Sequence, residues 1–372
     1  MKILKNTKIV IVMSILFAQI SAFGQTRSQT DNYLFNDTHF HLTNYIQEGI
    51  TAQKFLDIMG NKVGRSTLFG IPLQQQWSYQ NTKNFGPTYY LQTDAPLYYY
   101  SFTDAYIAMQ YKSLTKEQQA RFDPMITGFN PADMYAAKHI ERVLKIFPGV
   151  FTGIGEFTIH KEFVSSKVSG EVASLNNPAL DSIMDFAGKA GLIVLIHNDM
   201  DMPMAKKGSR PMYLDDMKAM LKRHDKTTII WAHIGLGRIV HPVGYGSASE
   251  AVGDRPPNHI DIVKEILDDP ALSHVYFDIS WDEVAKYIVA NPTTIKGVAD
   301  LINKYPDRFL FGTDVVSPPD QKFYMEVYEM YQPLWKALKP ETSEKIRKGN
   351  YERLFDNARK KVRAWEQANI RQ

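Results

Sequence analysis

From Leu34 almost to the C-terminus, short apolar or β-branched runs alternate with stretches whose apolar residues recur at helical spacing. Eight runs read as strands: Leu34–His41, Ser66–Ile71, Asp123–Gly128, Gly153–Ile159, Ile193–His197, Thr228–His233, His274–Ile279 and Phe309–Thr313. Two of them, Leu192–Ile196 and Thr228–Ala232, are nearly unbroken apolar segments, as expected of strands covered on both faces of a parallel sheet. Between them, Met134, Ala137, Ile140, Leu144 and Phe147 mark one face of a helix, with Asn130 as its cap and Pro131 at its first position. Gly191 closes a second helix that carries Leu180, Ile183, Met184 and Ala187.

Eight βα units predict an α/β fold, a (β/α)8 TIM barrel. A doubly wound open sheet is the alternative, and it calls for a glycine fingerprint after the first strand, where Asp37-Thr38-His39-Phe40-His41 has no glycine. After the second strand, Gln74 to Tyr111 form an enlarged loop rich in tyrosine, and a further excursion runs from Gly235 to Asn258. A C-terminal helix is predicted from Thr342 to Ala368, with Ile346, Tyr351, Leu354, Phe355 and Ala358 on its apolar side.

The first residues follow a different pattern. Lys2, Lys5 and Lys8 precede an apolar run from Ile9 to Ala18, and Ala22 and Gly24 supply small residues before Gln25. This predicts a signal peptide over residues 1–24, cleavage near Gly24, and an exported protein, periplasmic or secreted, whose residues 25–372 form one domain. The apolar run is too short for a comfortable span, so no stable membrane anchor is expected. With 43 basic and 40 acidic residues among 372, the chain carries no electrostatic footprint for nucleic acid or an anionic membrane. The absence of cysteine excludes disulfides, thiolate ligands and a thiol nucleophile. Nothing in the sequence sets the oligomeric state, and a homo-oligomer is compatible with it.

Chemistry concentrates where the runs end. His39 and His41 alternate on the first strand and can approach one ion together. Glu156, His197, His233 and Asp314 end strands four, five, six and eight, the end at which parallel barrels build their sites. Taken singly, the His39/His41 pair has a second reading as polar decoration of a surface strand, His197 and His233 as hydrogen-bonded core residues, and each carboxylate as a salt bridge closing the barrel. Together they describe a metal centre, because carboxylates taken from water need a counter-charge. Arg238 and Trp281 fall on the same face and are candidates for substrate contact; His160, Asn198, Asp199, Arg210, His241 and Asp278 also fall on that face, with no role assigned by the sequence.

The order H-x-H, Glu, His, His, Asp resembles the amidohydrolase superfamily, and more narrowly its amidohydrolase-related (family 2) members. The fourth-strand Glu156 is similar to that of TatD-type hydrolases, and Gly349-Asn350-Tyr351-Glu352-Arg353-Leu354-Phe355 is similar to the terminal helix of family 2 members. The resemblance covers essentially the whole chain after residue 24. It implies that His39, His41 and Asp314 hold one ion and His197 and His233 a second, with Glu156 bridging them. Many relatives carry a carboxylated lysine at the fourth strand and some mononuclear ones have no ligand there, so one or two divalent ions are both open. Histidine and carboxylate ligands suit several first-row metals, and availability outside the cytoplasm puts zinc first.

The function expected is metal-dependent hydrolysis of an amide, lactone or ester bond in a small molecule, with Asp314 as the catalytic proton carrier. A metal-dependent decarboxylase of an aromatic or unsaturated carboxylic acid is the alternative. A non-catalytic exported binding protein is the third reading.

Overall fold

The structure, a computed structural model, describes residues 32–44, 48–71, 102–161, 173–205, 209–242 and 258–370. The chain divides into two compact units, Met1–Tyr33 and Leu34–Gln372, and the second holds every strand among the described residues. The expected signal peptide and most of the tyrosine-rich loop lie outside the described residues; the end of that loop, Thr103–Lys112, is helical.

Eight strands pair in parallel in chain order: β1 (Phe35–Asp37), β3 (Val63–Leu68), β4 (Phe122–Ile126), β5 (Gly153–Thr158), β6 (Ile193–His197), β7 (Ile229–Trp231), β8 (Val275–Asp278) and β9 (Phe309–Leu310). Two short segments, β2 (Phe40–His41) and β10 (Val315–Val316), continue the first and last staves and pair with each other. The seam between those staves is closed by hydrogen bonds from Thr38 N–H to the Phe311 carbonyl (3.1 Å) and from Asp314 N–H to the His39 carbonyl (2.7 Å). The result is the TIM-barrel-like fold expected from the alternation.

The period of two along each strand separates two cores. Ile193 and Leu195 of β6 point into the barrel with Phe69, Met125, Ile230 and Leu310, whereas Val194 and Ile196 face the surrounding helices. Tyr351, Leu354, Phe355 and Ala358 of the long C-terminal helix Asn350–Asn369 join the interior cluster and plug the end of the barrel opposite the ligand-bearing strand ends. There the buried Asp123 of β4 accepts from Arg65 (2.7 Å), Arg359 (2.6 Å) and the Tyr351 hydroxyl (2.8 Å). Burial alone would raise this carboxyl, but the two guanidiniums outweigh it and hold it below the ordinary range.

Two elements differ from the sequence reading. Asn130-Pro131 opens a turn rather than a helix: the Asn130 side chain accepts from Ala132 N–H, Asp133 then accepts from Tyr135 N–H, and the helix begins at Ala136. The first strand is interrupted at Thr38, whose N–H and hydroxyl both turn to the Phe311 carbonyl across the seam. The helix Pro178–Ala190 follows its predicted punctuation, with Asn177 capping Ala179 N–H and Gly191 at φ +79°.

Candidate metal centre

His39 and His41 come from the first stave, Glu156 from β5, His233 from just beyond β7 and Asp314 from the loop between β9 and β10. The seam brings the first and last of these together, and it depends on a glycine. A Cβ on Gly312 would lie 2.7 Å from the His39 Cβ and 2.9 Å from its backbone nitrogen, so only glycine permits this approach. Backbone strain collects here as well: His233 (φ +57°), Ile234 (φ +56°) and Asp314 (φ +55°) are left-handed without being glycine. Such conformations persist only where the surroundings enforce them, and they cluster at functional sites.

His39 Nε2 lies 3.2 Å from Asp314 Oδ1 and 3.9 Å from Glu156 Oε2. His41 Nε2 is 3.0 Å from Asp314 Oδ1 and 3.6 Å from Glu156 Oε2, and His233 Nε2 is 3.5 Å from Glu156 Oε1. Two groups of potential ligand atoms result, His39–Glu156–His233 and His39–His41–Asp314. His39 belongs to both. All these side chains are buried except that of Asp314, which is 11% exposed and so faces the open side.

His39 Nε2 and His233 Nε2 are buried without a hydrogen-bond partner among the described residues. Leaving such atoms unsatisfied costs roughly 1–3 kcal/mol each in the interior. A cation relieves that cost, and the imidazole nitrogens with two carboxylates form a donor set suited to zinc and its first-row neighbours. The electrostatics point the same way. Burial opposes the charge on Glu156, yet Lys161 and His197 outweigh it and hold that carboxyl well below the usual range. Asp314 is likewise held low, against burial, by His39, His41 and His233. Both carboxylates are therefore in their ligating form.

His197 sits in the same cluster with a different orientation. Its Nδ1 meets Glu156 Oε1 and its Nε2 meets Asp199 Oδ1 at 3.1 Å, so both ring nitrogens are engaged by carboxylates. Burial disfavours its charge, but Glu156 and Asp199 prevail and raise its pKa. Trp281, strained at φ +83°, packs its ring 5.0 Å from that of His233. Arg238 lies 5.5 Å over the same indole and also approaches Glu283 (3.6 Å). Arg210 pairs with Asp215 at the surface, His160 stacks on Tyr213, and His241 contacts the Tyr287 hydroxyl.

Three residues at the centre carry roles the sequence reading did not assign. Asp278 Oδ2 accepts from His39 Nδ1 (2.9 Å), the Ser280 hydroxyl lies 2.9 Å from His233 Nδ1, and Lys161 stands 3.9 Å from Glu156 and 5.4 Å over Trp281. Asp278 and Ser280 alternate at the end of a strand as His39 and His41 do, and that spacing was the available signal. Lys161 follows β5 in a loop, whose course no periodicity foretells.

The amidohydrolase family model matches residues 37–356, which is most of the chain and includes all six predicted ligands. The chain belongs to the amidohydrolase family. Among solved structures, this amidohydrolase is similar to an amidohydrolase from Burkholderia multivorans with bound zinc, at 13% identity and a TM-score of 0.52, over 87% of this chain and 99% of that one. A probable 2-pyrone-4,6-dicarboxylic acid hydrolase from Acinetobacter baumannii, with citric acid bound, matches at 12% identity and a TM-score of 0.51 over the same shares. At such identities the likeness concerns the fold. No curated protein matches the chain. No helix among the described residues is long and apolar enough to cross a membrane.

Proposed function

We propose that this amidohydrolase is a hydrolase of a small-molecule lactone, ester or amide that works with one divalent cation, zinc first among the candidates. The observation that carries the reading is the pair of buried Nε2 atoms of His39 and His233, without a hydrogen-bond partner among the described residues and lying within 4 Å of the carboxylates of Glu156 and Asp314. A single ion is the reading favoured by His39, whose Nε2 lone pair is common to both groups of ligand atoms, together with His197, whose two ring nitrogens both meet carboxylates. The zinc in the Burkholderia relative makes zinc the metal to test first.

His39, His41, His233, Glu156 and Asp314 would hold the ion. When bound, such a cation supplies Lewis acidity, polarising a carbonyl oxygen and acidifying water. Asp314 handles the proton. Its Oδ1 is turned towards Nε2 of His41 (3.0 Å) and His39 (3.2 Å), whereas Oδ2 stands 4.0 Å from His233, and the Asp314 side chain is the partly exposed one of the set. Oδ2 accepts the proton released as water attacks and returns it to the leaving group. Trp281 covers His233 and limits water on that side.

The single-ion geometry also favours a second reading, loss of CO2 from a carboxylic acid. The test is metal analysis of purified protein followed by product analysis with lactones, esters, amides and aromatic carboxylic acids. Ring opening or acyl cleavage with about one ion per chain, abolished by Asp314→Asn with the metal retained, is the expected result. Release of CO2 would favour the decarboxylase, and inactivity of the metal-loaded protein throughout would leave a binding protein.

A further inference from the structure

The histidines at this centre can each carry the ring proton on either nitrogen, and only one choice leaves a lone pair for a cation. For His41 the choice follows from its Nδ1, 2.9 Å from the Gly70 carbonyl, which can only accept. For His233 two tautomers compete. Glu156 Oε1, 3.5 Å from Nε2, attracts a proton to the nitrogen that should bind the metal. Against it stands Ser280, fully buried, with Oγ 2.9 Å from His233 Nδ1.

The serine hydroxyl is not free to choose its role. Its own proton goes to Asp278 Oδ1 at 2.5 Å, and that oxygen also accepts the backbone N–H of His233 (2.8 Å) and of Ser280 itself (3.2 Å). Towards the imidazoles, Ser280 Oγ can therefore only accept. It takes the Nδ1 proton of His233 and shares that of His39, which lies 3.1 Å from Oγ and 2.9 Å from Asp278 Oδ2. One hydroxyl thus meets two rings contributed by opposite parts of the chain.

We infer that Ser280 is a positioning residue: by accepting from Nδ1 of His233 and His39 it turns both Nε2 atoms, as acceptors, into the metal cavity. Partners that fix ligand tautomers typically change metal affinity by about 10–100-fold when removed. The inference rests on reading the cluster as a metal centre, and its test separates the two. In metal-free wild-type protein, 15N NMR of the imidazoles should show neutral His233 protonated at Nδ1 and bare at Nε2; the opposite tautomer would overturn the inference whether or not the protein binds metal. Competition of the protein with a zinc chelator should show Ser280→Ala weakened by about 10–100-fold. Ser280→Thr, which keeps the hydroxyl, should recover most of the loss, and the visible spectrum of the cobalt-substituted protein should change in the alanine variant but not in the threonine variant. Unchanged affinity in a folded Ser280→Ala, or no recovery in a folded Ser280→Thr, refutes the role. Should the alanine variant fail to fold, the wild-type tautomer and the threonine variant still decide. Absence of zinc binding by the wild type would instead count against the metal centre itself.

Discussion

Asp104, at the start of the helix Thr103–Lys112, is buried with its carboxyl against the end of β4, where Oδ1 accepts from Thr127 N–H (2.8 Å) and Gly128 N–H (3.0 Å). Burial pushes its pKa from the ordinary 3.8 up to about 6, with those two N–H groups pulling only part of the way back. Between these values the folded state holds a proton that the unfolded chain releases, so stability falls as pH rises. The stabilising contribution is complete below pH 3.8 and gone above about pH 6. The difference of 3.8 from about 6 corresponds to on the order of 3 kcal/mol. About half of it falls between pH 5 and pH 8. Asp104→Asn cannot ionise and should lack this term. Because the amide's own fit is the same at every pH, the quantity to measure is the change in the wild-type-minus-variant difference from pH 5 to pH 8, obtained by urea unfolding of both proteins. The wild type should lose on the order of 1.5 kcal/mol relative to the variant over that interval. A constant difference, or one of opposite sign, would show that the two N–H donors already compensate for burial.

Other outcomes rest on packing at the two ends of the barrel. Arg65→Gln removes one of the two guanidiniums from the buried Asp123, which keeps Arg359 and the Tyr351 hydroxyl, and should cost about 1.5–3 kcal/mol, seen as a lowered melting temperature. Gly312→Ala forces a methyl group onto His39 and should reduce bound metal per chain, measured by elemental analysis, more than it reduces helix content by circular dichroism. Equal metal content in wild type and Gly312→Ala would mean that the seam relaxes without moving the ligand.

Much of this architecture was legible because burial writes itself into composition. Ile193–His197 occupies the predicted span, since an apolar run followed by a polar ligand has one comfortable place in a parallel barrel. His39, His41, Glu156, His233 and Asp314 stood out for the same reason, as polar side chains directly after such runs, and the structure brings them together at that end of the barrel. What escaped the sequence depends on contacts remote along the chain. The break at Thr38 answers to Phe311, and Ser280 gains its role only by standing between His233 and His39. His197 had the same signature as His233, yet Asp199, two residues on, meets its Nε2, and the left-handed turn at His233 has no counterpart there. Asn130-Pro131 has the signature of a helix start, but Asn130 and Asp133 make local turns that compete with the helix until Ala136.

The closure between the first and last staves gives the candidate metal ligands a mechanical meaning. His39 and His41 lie on one side of that junction and Asp314 on the other, so a cation held by all three acts as a clasp between segments more than 270 residues apart. Part of the free energy of metal binding then becomes free energy of ring closure, and a chelator should loosen the barrel first along this line. The amide protons of Thr38 and Asp314, which cross the junction, are gauges of the clasp: their exchange with solvent reports whether the ring is fastened, independently of whether any substrate is turned over.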